Sequence, residues 1–211
     1  MSKLKNTNNK IVIGIDQSYQ DTGISIAHNG KLKATTDCYL RSLEDNSSKR
    51  KALSYKLHNV FSKVSLRSSC DSSEVYVIIE RIRLQSQGFI NIDYIKSIGA
   101  LNALIVDIAK EYNFPIYSVD TRAWKANVIG TSKEQTNKYG IDPKKWPTIQ
   151  WCIKNGLEDK ILMPVSNKKK KGIVKTIDGV QYTYNDNIAD SIGICLYGFI
   201  PESKQNLKEE H

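Results

Sequence analysis

A chain of 211 residues with 40% hydrophobic content has enough apolar material for one sizeable core, so one domain is expected. No apolar run reaches the roughly 18 to 20 residues that cross a bilayer, and MSKLKNTNNK has no apolar signal-peptide stretch behind it, so a cytoplasmic protein with no membrane partner is expected. The formal net charge of +9, from 31 Lys and Arg against 22 Asp and Glu, favours a polyanionic partner such as nucleic acid.

Residues 1–9 are polar and are expected to be disordered. Lys10–Ile15 has the β-branched content of a buried strand, Gly23–Ala27 alternates as a second strand before the turn His28-Asn29-Gly30, and Lys31–Tyr39 is a third. Leu53, Leu57, Val60, Phe61 and Val64 recur at helical spacing, which predicts an amphipathic helix over Ser48–Leu66. Val75–Ile79 reads as a strand buried on both faces and ends in Glu80. Tyr94, Ile98, Leu101, Leu104, Ile105, Ile108 and Tyr112 carry a long helix, closed near Asn113 and Pro115. Ile116–Val119 is a short strand that ends in the polar cluster Asp120-Thr121-Arg122.

From Thr131 to about Lys145 the composition is that of a loop, and Pro147 suits the first turn of a helix burying Ile149, Cys152 and Ile153. Asp178-Gly179 between Ile173–Ile177 and Val180–Tyr184 is a hairpin signal. Asn187–Tyr197 is the last helix, and 201–211 reads as a charged tail. Cys38, Cys70, Cys152 and Cys195 are scattered singly, without the close pairs of a zinc site or the density of a disulfide framework, and are expected to be reduced and structural. Trp124, Trp146 and Trp151 are expected in the core. A meander of strands followed by alternating helices and strands predicts a mixed α/β sheet layered with helices.

Three carboxylates end buried elements. Asp16 follows the first strand, Glu80 the fourth, and Asp190 sits near the start of the last helix, four residues after Asp186. Strand ends in an α/β sheet are natural ligand sites, and clustered carboxylates repel unless a cation lies among them. Oxygen ligands without His or Cys favour magnesium or manganese. Three of these acids also have a plainer role: Asp16 as a turn residue, Glu80 in a salt bridge to Arg81, Arg83 or a lysine, and Asp186, or Asn185 in its place, as a helix cap.

IGIDQSYQDTGISI, VIIERIRL, SIGALNALIVDIAKEYNFPIYSVDTRAWKANVIG and NDNIADSIGI, in that order, resemble the RuvC-type Holliday-junction resolvases of the RNase H-like superfamily. The resemblance covers most of residues 10–198 and is weakest over 131–184. It implies an α/β fold with an RNase H-like mixed five-stranded sheet flanked by helices over residues 10–200, with 131–184 as a loop and hairpin insertion. It also implies a homodimer that cuts four-way DNA junctions by paired symmetric nicking in recombination and repair, leaving 5′-phosphate and 3′-hydroxyl ends.

Carried over by position, Asp16, Glu80 and Asp190 are catalytic metal ligands for two Mg2+ or Mn2+ ions. The family's fourth ligand, an Asp or His three residues before the last Asp, falls on Asn187. Asp186, one residue earlier, is preferred for its charge, and Asn187 stays open in its place. Gln17-Ser18 replaces the family's common Pro-Gly.

DNA contacts are expected from Arg122 and Lys125, from Lys168, Lys169, Lys170 and Lys171 at the mouth of the hairpin, and from Phe89 as a wedge. Their plainer readings are solvated lysines and a core phenylalanine. Competing functions are an RNase H-like nuclease acting on RNA/DNA hybrid or other branched DNA, a non-catalytic junction-binding protein, and an actin-like nucleotide-binding protein. The last needs a second Gly-rich phosphate loop, which is not found in the sequence.

Overall fold

The structure, a computed structural model, describes residue 4 and residues 9–82, 92–130, 141–165 and 172–210. β1 (Lys10–Asp16) is buried along its length up to its last residue. It pairs antiparallel with β2 (Asp21–His28), which pairs antiparallel with β3 (Lys31–Tyr39). The turn between β2 and β3 has Asn29 and Gly30 both at positive φ, as a two-residue hairpin turn requires.

On the other side of β1 lies β4 (Glu74–Glu80), in parallel, followed by β5 (Ile116–Val119), also parallel. The order β3-β2-β1-β4-β5 is the mixed five-stranded sheet expected from the sequence, and a sixth strand, β9 (Leu207–Glu209), extends it. β9 comes from the segment read as a charged tail. It pairs antiparallel with β5 and so covers an edge that would otherwise present unpaired backbone groups. Leu4 is fully buried, and its amide donates to Gln205 just before that strand.

Alternation along β1 assigns the two faces. Ile11, Ile13 and Ile15 pack with Leu53, Leu57, Phe61 and Val64 of α1 (Asn46–Asp71) and with Ile98, Leu101 and Ile105 of α2 (Ile92–Glu111). Val12 faces the opposite side, with Ile194, Cys195 and Tyr197 of α6 (Asp186–Tyr197) and with Trp124. Trp124 ends α3 (Thr121–Trp124), which continues as a π-helical segment, Lys125–Ile129. The sequence reading placed no helix there. Asp120, expected only as part of a polar cluster, caps α3 by accepting from the Arg122 amide.

The insertion region builds its own small layer. α4 (Trp146–Lys154) has Pro147 in its first turn, and α5 (Glu158–Ile161) leads into β6 (Leu162–Pro164). β6 pairs with β8 (Val180–Tyr184), which forms the expected Asp178-Gly179 hairpin with β7 (Lys175–Ile177). Ile149, Cys152, Ile161 and Tyr184 pack there against Ile188 and Ile192 of α6. The four cysteines are free; three are buried and Cys70 is exposed on α1. Among the described residues, no helix is long and apolar enough to cross a membrane.

Candidate functional site

The parallel register of Ile15 with Ile79 sets Asp16 and Glu80 side by side at the ends of neighbouring strands. α6 reaches the same edge because two glycines let it lie directly on the sheet. A Cβ on Gly14 would sit 2.4 Å from the Cys195 amide, and one on Gly23 would sit 2.1 Å from the Asn187 carbonyl oxygen. A 2.6 Å hydrogen bond between the Ser25 and Ser191 hydroxyls, both buried, sets the helix further. Asn185 caps α6 by accepting from the Ile188 amide, so Asp186 is a helical residue rather than the cap.

The four acids feel one another. Burial, with the charges of Asp190, Glu80 and Asp186, raises Asp16 well above the ordinary carboxylate range. Burial also pushes Asp190 up to about 6, aided by Glu80 and Asp186 and opposed by Lys125. Oδ1 of Asp190 is buried without a hydrogen-bond partner. Such a repelling set of hard oxygen donors fits a divalent cation in chemistry. Among the described residues, however, no three acidic, His or Cys side chains are drawn together closely enough to hold an ion.

Three of the four acids instead have a close partner. Lys125 Nζ lies 3.7 Å from Asp190 Oδ2 and 5.0 Å from the Trp124 ring centroid. Lys145 forms an ion pair with Asp186 and also faces Asp16 and Asp190. The Thr121 hydroxyl and the Trp124 indole N–H donate to the two oxygens of Glu80. Among the described residues Glu80 has these neutral donors and no ion pair to a lysine or arginine; Arg83, one of the partners considered for it, lies outside the described residues.

Lys145 and Gln17 were not singled out as site residues by the sequence reading. Lys145 comes from the segment that precedes α4, and no local pattern ties it to Asp186, 41 residues on. The Gln17 side chain bridges the backbone of Glu80, accepting from its N–H and donating to its C=O. It thereby ties the Asp16 loop to the neighbouring strand end. The Asn187 side chain hydrogen-bonds to Asp21, while the charge of Asp186 acts on Asp16. Arg122 is exposed beside the site. Phe89 and Lys168, Lys169, Lys170 and Lys171 lie outside the described residues.

Asp21 was likewise not singled out. The Asn185 amide donates to Asp21 Oδ2 at 3.1 Å and to Asp37 Oδ2 at 3.2 Å, clamping the start of α6 to β2 and β3. Asn185→Ala is expected to cost about 2 to 3 kcal/mol, since it removes a cap worth about 1 and takes from the buried Asp21 one of its two asparagine donors. Thermal melting measures this; a loss below about 0.5 kcal/mol would show that the clamp is dispensable.

A pH dependence follows. Burial, then the charge of Asp37, raises Asp21 to about 6, as burial does Asp190. The folded chain therefore keeps protons that the unfolded chain has released. Stability from these groups is full below about 4 and is lost as pH rises through about 6, with Asp16 acting in the same direction. Urea midpoints of metal-free protein should fall over that window, and Asp190→Asn should flatten the fall. A midpoint that rises through it would contradict the assignment.

No family model and no curated protein sequence matches the chain. Among solved structures it is similar to T. thermophilus RuvC in complex with a Holliday junction substrate, at 12% identity over 89% of this chain and 90% of that one, with a TM-score of 0.49. It is similar also to the structure of Thermus thermophilus RuvC, at 13% identity over 88% of this chain and 91% of that one, with a TM-score of 0.48.

Proposed function

We propose that this chain is a divalent-metal-dependent, structure-selective endonuclease that acts as a homodimer on branched DNA, foremost four-way junctions. The observation that carries this reading is the placement of Asp16 and Glu80 at the ends of neighbouring parallel strands, with α6 bringing Asp186 and Asp190 to the same end of the sheet, although no three of these side chains are close enough as they stand to hold an ion. Motif order and net positive charge support it.

Asp16, Glu80, Asp190 and Asp186 are the residues that would hold magnesium or manganese, up to two ions. When bound, such ions supply a hydroxide nucleophile and charge stabilisation at the leaving oxygen of a phosphodiester. The chain's own contribution is placement. β1 and β4 hold two carboxylates rigidly, Gln17 locks their spacing, and α6 presents the others from a face pinned by glycines. Lys145 and Lys125 lie against Asp186 and Asp190, where they would also be placed to contact a substrate phosphate.

The test is cleavage of end-labelled four-way junction, fork, linear duplex and RNA/DNA hybrid with magnesium. Paired symmetric nicks in the junction are expected. Hybrid cleavage by a monomer would replace the resolvase reading with a hybrid hydrolase, and tight junction binding without any cutting would replace it with a binding protein.

A further inference from the structure

α1 carries Lys49, Arg50, Lys51, Lys56, Lys63 and Arg67 but only one acid, Asp71, in its 26 residues. α2, beside it on the same sheet face, carries Lys96 and Lys110 against Asp93, Asp107 and Glu111. The excess on α1 is therefore not a general property of the helical layer. Nor is it spread evenly round the helix. Lys49, Lys56, Lys63 and Arg67 are spaced by seven, seven and four residues, which at about 100° per residue keeps them within an arc of roughly 40°.

The core face of the same helix, Leu53, Leu57, Phe61 and Val64, is buried, and its exposed apolar side chains, Tyr55 and Leu66, sit roughly 80 to 100° round the helix from the centre of the charged arc, so the charged flank itself carries no apolar strip with which to enter a lipid surface. Arg67 pairs with Asp71 at 3.4 Å. Lys49, Lys56 and Lys63 form no ion pair among the described residues.

One end of this stripe adjoins the candidate site. Lys49 Nζ lies 6.0 Å from the ring centroid of Tyr19, three residues after Asp16 in the β1–β2 connection. From there to Arg67 the stripe runs roughly 27 Å at 1.5 Å per residue, the length of about eight steps of a DNA strand.

We propose that the Lys49, Lys56, Lys63 and Arg67 flank of α1 is a second DNA-binding surface, one that holds the phosphate backbone of a duplex arm leading away from the acidic centre. It rests on the nuclease reading for the identity of the polyanion. Contacts of this kind position a duplex without reading its sequence.

The experiment is a salt titration of binding to labelled four-way junction and to labelled linear duplex, without added divalent ion. It compares wild type, Lys49→Ala/Lys56→Ala/Lys63→Ala, and a control of equal charge change, Lys110→Ala/Lys154→Ala/Lys204→Ala, whose three lysines are exposed elsewhere. The stripe variant should reduce the slope of log K against log salt by about 2 to 3 and weaken binding roughly 100-fold at about 0.1 M salt. The control should change the slope by less than about 1, and both variants should melt like wild type.

An unchanged slope in the stripe variant, or an equal loss in the control, overturns the proposal. So does a protein whose stripe mediates binding to anionic vesicles but not to DNA. The nuclease reading fails separately: no cutting by wild type, with the slope loss confined to the stripe variant, would discard the enzyme and keep the surface.

Discussion

Asp16→Asn should abolish junction cutting, lowering its rate by roughly 10³-fold or more, while leaving junction affinity within about threefold and raising the melting temperature. The two signs come from one cause. A buried carboxylate pressed by Asp190, Glu80 and Asp186 is held in an unfavourable charge state without a cation, and a neutral isostere relieves that repulsion. Removing a carboxyl whose charge is opposed by burial and by three neighbouring acids is therefore expected to stabilise the protein at neutral pH when no divalent ion is added. End-labelled junction assays read the first effect and calorimetry the second. Normal cutting would remove Asp16 from the mechanism, and a lower melting temperature would show that Asp16 is a structural turn residue rather than a member of a repelling site.

Gly23→Ala should produce a large loss of stability. The new carbon would lie 2.1 Å from the Asn187 carbonyl oxygen and 2.8 Å from the Ile188 amide nitrogen. Both are backbone atoms of the first turn of α6, so no flexible side chain can give way. Overpacking of this kind costs about 3 kcal/mol or more, which at roughly 2 to 4 °C per kcal/mol for a chain of this size is a fall of about 6 to 12 °C in Tm.

The same displacement moves Asp186 and Asp190 away from Asp16, so cutting should fall even at temperatures where the variant is fully folded. Gly30→Ala is the comparison. That position has positive φ but its nearest neighbour is the Phe199 ring at 4.0 Å, so it should lose only about 1 kcal/mol and keep its activity. A melting temperature for Gly23→Ala within about 2 °C of wild type would refute the close seating of α6 on β2.

The strands and helices were legible because burial leaves a period in the sequence. Ile11, Ile13 and Ile15 face one side of the sheet and Val12 the other, while Leu53, Leu57, Phe61 and Val64 mark the inner face of α1. Asp16, Glu80, Asp186 and Asp190 could be named because each ends or begins such an element. The α3 segment escaped notice because it is short and its cap, Asp120, reads equally well as a turn residue. β9 is missed for a similar reason: with only Leu207 buried among three residues, it carries no alternation.

By itself the sequence determined the five main strands, the long helices, their order and the acids at their ends, since these depend on side-chain patterns spanning a few residues. Only the tertiary structure decided what surrounds those acids. Lys145 on Asp186, Lys125 on Asp190, Gln17 across to Glu80 and Asn185 between Asp21 and Asp37 join residues 41, 65, 63 and up to 164 positions apart. Contacts at such separations leave no period to read, because they depend on which strands become neighbours and on how closely two glycines let a helix approach them.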